Sequence, residues 1–170
     1  VNAARDTQRS RVYEAEQLVR TMFDRAADGA PAVQIAGSTL TLPVERRFAS
    51  LESVRTYLSA VQALGWVRET WPRATVPVSV RERAGAQRAH YERAGAVIAL
   101  PTHRGNRAWA LRELVLLHEL AHHLAPADDE EAHGPAFVDR MLTLVDGVVG
   151  PEAALVLRIT YVENGVRSAP

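Results

Sequence analysis

His118-Glu119-Leu120-Ala121-His122 sets two imidazoles four residues apart with a carboxylate between them. On a helix that spacing is about one turn, so both rings share a face. Two imidazole nitrogens at about 2.0–2.1 Å can hold one divalent metal. Glu119 points toward the edge of the same site, within reach of a water on the metal rather than of the metal itself. A dication on neutral imidazoles lowers the pKa of such a water to ~7. Glu119 is then the general base, able to pass the proton on to a leaving group. The pattern predicts metal-assisted hydrolysis. The plain structural alternative is a pair of core histidines bonded to backbone groups. The glutamate between them and a further histidine downstream favour the metal.

A zinc ion that acts on water needs a third protein ligand and one open position. The chain has six histidines, and four of them fall between 118 and 133. His133 is the candidate third ligand, reached past Pro126 and a short acidic loop. Metzincins place a glycine three residues after the second histidine and a further histidine three residues later. Here Ala125 and Asp128 stand in those positions, so that pattern is excluded. Glu130 and Glu131 stay open as rival carboxylate ligands, and Asp128 or Asp129 can cap the next segment. His123 points about 100° away from His122 and is expected at the surface or behind the ligands. His90 and His103 are isolated. Tyr161, Tyr91, His103 and Arg104 are conceivable partners for a developing oxyanion.

The elements that must position these residues are legible in the periodicity. An N-terminal helix is predicted over 5–27, ended by Gly29-Ala30-Pro31. Alternation around Gly37-Ser38 predicts a hairpin or bent strand over 32–42. Ser50 can cap a helix over 51–64. Val76–Glu82, Gln87–Glu92 and Ala96–Leu100 read as three short strands. A metal helix is predicted over 107–124, with Leu111, Leu114, Val115, His118, Ala121 and His122 on one stripe. Pro135 starts another helix, running to about Val145, and a last one covers 152–162. The fold class is α+β: one domain over 1–170, with a small antiparallel sheet, about five helices, and the metal helix following the last strand.

Composition narrows the function. No cysteine is present, which removes disulfides, thiolate nucleophiles and cysteine-based metal sites. The formal net charge is zero, with arginine as the sole strong base, and argues against nucleic acid or an anionic membrane as partner. No apolar run is long enough to span a bilayer, and the first residues lack the apolar core of a signal peptide. A cytoplasmic location is expected.

Leu117-His118-Glu119-Leu120-Ala121-His122, followed by His133-Gly134 and Phe137, resembles the SprT-like zincins. That resemblance implies His118, His122 and His133 as zinc ligands, Glu119 as catalytic base, and a peptidase activity. Trp109 through Gly150-Pro151-Glu152 is similar to a family of actinobacterial metallohydrolases, mostly without assigned substrates. Residues 90–160 carry the likeness; the first 50 carry none. The zinc ribbon or basic tail of DNA-directed members has no counterpart, so crosslink repair is not implied. Glu130-Glu131-Ala132-His133 with Phe137 also resembles peptidases that cleave repressors, whose third ligand is a glutamate.

The reading is a zinc-dependent hydrolase with one zinc per chain, a metallopeptidase acting on a peptide or protein. Its rivals are a zinc hydrolase of a non-peptide amide and a metal-stabilised binding or sensor module. Strand 96–100, if it is a sheet edge, can pair with an extended substrate.

Overall fold

Hydrophobic spacing at three- and four-residue intervals builds seven α-helices in the computed structural model, which describes residues 5–84, 88–103, 107–127 and 130–169. The chain divides into two compact units, Val1–Glu45 with Asp128–Pro170, and Arg46–Ala127. The fold is α+β, as patterning predicts. Among the described residues no helix is long and apolar enough to cross a membrane.

In the first unit, α1 (Arg9–Ala27) buries Val12, Ala15, Val19 and Phe23. It packs on α7 (Pro151–Glu163), which also packs on α6 (Pro135–Val148). Their core holds Phe137, Val138, Met141, Leu144, Val156 and Leu157. Proline opens both α6 and α7, where its missing N–H is not needed. β1 (Ala32–Ile35) and β2 (Ser38–Thr41) form an antiparallel hairpin. Its turn residues Ala36 and Gly37 both have positive φ, 47° and 77°, the requirement of a tight type I′ hairpin. The N-terminal helix starts at Arg9 instead of residue 5. The Gln8 side chain binds the His133 carbonyl and the Arg167 backbone, and these tertiary bonds hold the preceding residues out of the helix.

The second unit begins with α2 (Leu51–Gln62), capped by a reciprocal Ser50–Ser53 box, and α3 (Gly65–Thr70), followed by a 3₁₀ turn over Pro72–Thr75. β3 (Ser79–Glu82), β4 (His90–Glu92) and β5 (Val97–Leu100) form a sheet in the order β3-β5-β4. β3 pairs parallel to β5 with Val80 opposite Ile98, and β4 pairs antiparallel with Tyr91 opposite Ile98. The sheet is therefore mixed. Strand 96–100 is not an edge: both of its sides are already paired, so it cannot receive an extended substrate. The reason lies in its own composition. Ile98, Ala99 and Leu100 are consecutive and fully buried, as in a strand covered on both faces.

The long helix expected over 107–124 is two helices, α4 (Arg107–Ala110) and α5 (Glu113–His123). Between them Arg112 forms an isolated antiparallel bridge with Arg47. The Phe48 N–H donates to the Leu111 carbonyl at 2.9 Å and the Glu113 N–H to the Arg46 carbonyl at 3.0 Å. These bonds take up backbone groups at the break and restart the helix at Glu113. α5 is buried almost all round, from Glu113 to Ala121, so its apolar character is wider than one stripe.

Candidate metal centre

α5 presents the pair. His118 is buried, His122 is half-buried, and their Nε2 atoms face each other at 3.2 Å. The rings meet edge to face with centroids 5.0 Å apart. Two nitrogens on one tetrahedral zinc, each at about 2.0–2.1 Å, would lie about 3.3 Å from one another. The pair is thus already spaced for a shared ion. His118, His122 and His133 form a group whose candidate ligand nitrogens all lie within 4.8 Å of one another and which could hold a metal ion. Three neutral imidazoles are a donor set that suits zinc among the common divalent ions.

Both ends of α5 are tied down. Glu113 is fully buried and accepts from the Arg46 backbone at 3.0 Å, the Arg46 guanidinium at 2.6 Å and the Tyr57 hydroxyl at 2.8 Å. That carboxylate raises the Arg46 pKa above its ordinary value, first through the hydrogen bond and then through its charge. At the other end, His123 is fully buried, which overturns the surface half of the expectation that it lies at the surface or behind the ligands. Its Nδ1 meets the Tyr91 hydroxyl at 2.9 Å and its Nε2 the Val76 carbonyl at 2.9 Å. Burial pushes its pKa down to about 4, so the ring is neutral near pH 7. The proton then sits on Nε2 and donates to Val76, while Tyr91 donates to Nδ1. His123 is a pin between α5, β4 and the strand-entry segment.

His133 sits where the loop before α6 turns. The Gly134 N–H closes a turn on the Glu131 carbonyl at 2.9 Å. A Cβ on Gly134 would stand 2.8 Å from the Glu131 Cβ and 3.1 Å from its carbonyl oxygen, so the turn requires glycine for space. The His133 ring is buried between aromatic neighbours, Phe137 at 5.0 Å and Tyr13 at 5.2 Å between centroids. Its Nδ1 donates to the Asp6 carboxylate at 2.7 Å, which leaves Nε2 as the nitrogen with a lone pair.

The rival carboxylates are engaged in the first unit. Glu130 forms an ion pair with the buried Arg140 at 2.6 Å. Glu131 accepts from the Thr7 N–H at 2.6 Å and the Thr7 hydroxyl at 2.5 Å, and meets Arg167 at 3.4 Å. The Thr7 hydrogen bonds hold the Glu131 pKa below the usual carboxylate value. Glu119 is buried, one residue after His118. Two of the suggested oxyanion partners are committed elsewhere: Tyr91 to His123, and the buried Tyr161 to Glu16 at 2.7 Å. His103 is exposed on the loop after β5, and His90 is exposed on β4. Arg104, Asp128 and Asp129 lie outside the described residues.

Asp6, Gln8 and Tyr13 were not legible as site residues. Their distance from the motif in sequence hides them, and all three fall inside the helix predicted over 5–27. Compared with protein-family models, curated proteins and solved structures, the chain shows no match.

Proposed function

We propose that the protein is a zinc-dependent hydrolase, a metallopeptidase of SprT-like type. The observation that carries this reading is the group of three imidazoles at His118, His122 and His133, with a buried glutamate between the first two. When bound there, zinc supplies a Lewis acid that polarises the amide carbonyl and brings the pKa of a water to about 7.

The chain's own residues do the rest. His118 and His122 hold the metal from one rigid helix, whose ends are anchored by Glu113 and His123. His133 completes the set from the turn before α6. Glu119 adjoins His118 without belonging to the three-imidazole group, which supports a role as base: it takes the proton from the attacking water and delivers it to the leaving amine. The substrate class is a peptide or protein, and the resemblance of the motif to SprT-like zincins supports it. The cysteine-free composition is compatible with a reducing cytoplasm.

Glu119→Gln tests the assignment. It is expected to keep about one zinc per chain and to lose casein or peptide-library hydrolysis by several orders of magnitude. Release of the metal by this substitution would make Glu119 a ligand. A zinc-loaded wild type inert on every amide offered would leave a metal-stabilised binding module.

A further inference from the structure

The segment before α1 touches the proposed third ligand, His133, more closely than its position in sequence suggests. Asp6 Oδ2 accepts from His133 Nδ1 at 2.7 Å, across 127 positions of sequence. Its other oxygen, Oδ1, is buried and has no hydrogen-bond partner among the described residues. A buried carboxylate oxygen without a partner is costly and asks for a reason. A cation on the far side of the His133 ring would supply one.

The segment carrying Asp6 is clasped to the His133 turn by a closed set of bonds. Both the N–H and the hydroxyl of Thr7 donate to Glu131, whose own carbonyl accepts from Gly134. The Gln8 amide donates to the His133 carbonyl at 2.8 Å and to the Arg167 carbonyl at 3.0 Å, and its oxygen accepts from the Arg167 N–H at 2.9 Å. Arg167 also donates to the Thr7 hydroxyl at 2.9 Å. Gln8 is fully buried by this. The frame sets where Asp6 stands.

We propose that Asp6 is the positioning residue of the third ligand, holding the His133 proton on Nδ1 so that Nε2 faces the metal. The inference rests on the proposed three-imidazole zinc site. A ligating histidine whose second nitrogen donates to a carboxylate is held in one tautomer and one ring orientation, and becomes a stronger donor. Glu131, which the sequence offers as a ligand, serves here as the latch that holds Asp6's segment in place.

Two measurements test this. In the zinc-free wild type, nitrogen NMR of the imidazoles should show His133 protonated at Nδ1. Zinc affinity is then compared by chelator competition in Asp6→Asn, Asp6→Ala and Asp6→Glu, with folding checked by circular dichroism. Asp6→Ala should weaken zinc about 100-fold and release the tautomer to a mixture; Asp6→Asn should keep the tautomer and weaken zinc about 10-fold; Asp6→Glu should recover most of the loss. Wild-type affinity in folded Asp6→Ala, with zinc lost in His133→Ala, would overturn the role of Asp6 and leave the metal centre standing. A neutral His133 protonated at Nε2 and bare at Nδ1 in the zinc-free wild type would overturn it without any variant. Wild-type affinity in His133→Ala would remove the third ligand, and the inference with it.

Discussion

His122 and His123 are adjacent, identical in type and opposite in use. One helical step of about 100° separates them, and it sends His122 toward His118 and His123 into the core between Tyr91 and Val76. Substitution should therefore split metal from stability. His122→Ala is expected to abolish stoichiometric zinc while changing the stability of the zinc-free chain little, since this ring is half-buried. His123→Ala is expected to keep the three ligand residues yet to destabilise the zinc-free chain by about 1–3 kcal/mol, because it removes the acceptor of the buried Tyr91 hydroxyl proton, while that oxygen still accepts from Arg73. Elemental analysis and urea denaturation of both variants read the two effects separately. Equal loss of zinc in both would show that the division of labour is wrong.

The turn between Glu131 and Gly134 is the element on which the third ligand depends. Gly134→Ala places a methyl group against the Glu131 Cβ and carbonyl. Relief needs movement of the turn that carries His133, so the expected result is a loss of about 1–3 kcal/mol, as for overpacking, together with weaker zinc binding. Denaturant midpoints with and without zinc measure both. A variant that binds zinc like the wild type would mean the turn has slack. The pairing of α1 with α7 makes a different prediction. Burial, and secondarily the Glu16 carboxylate, raise the Tyr161 pKa well above the ordinary value. The folded chain then retains a proton that the unfolded chain releases above about pH 10. Stability is fully present below that pH and falls as pH rises beyond it. Tyr161→Phe should flatten this alkaline slope, and unfolding curves from pH 9 to 11 should show it. An unchanged slope would place the titration elsewhere.

At the scale of the whole molecule the proposed function is a statement about composition and linkage. Purified protein should carry about one zinc per chain. A ligand that binds the folded state alone at a hundredfold excess over its dissociation constant adds about 2.7 kcal/mol of stability. Adding zinc to chelator-treated protein should therefore raise the denaturation midpoint, and His118→Ala should not respond. A midpoint that ignores zinc, in a wild type that holds no metal, would remove the basis for a hydrolase.

What could be read without coordinates is what is local. The facing of His118 and His122 comes from helical pitch alone, since four residues make about one turn. Proline and glycine punctuation located α6 and α7 for the same reason, and the α+β class comes from alternation in some stretches and helical spacing in others. His133 was nameable as a candidate because few histidines compete with it. Other features were decided by partners remote in the chain. Arg46 and Phe48 meet the backbone at Leu111 and Glu113 and split one helical pattern into two helices. Pairing on both sides makes 97–100 the central strand, although its unbroken apolar run already hinted at burial on both faces. Glu130 and Glu131 read in the sequence as rivals to His133, and their engagement by Arg140 and Thr7 is visible only in the fold. Asp6 stands beside His133 only because residues 6–8 are clasped to the 131–134 turn. A hydrogen bond is chosen among all acceptors that folding brings within about 3 Å, and that choice exists only after the chain has packed.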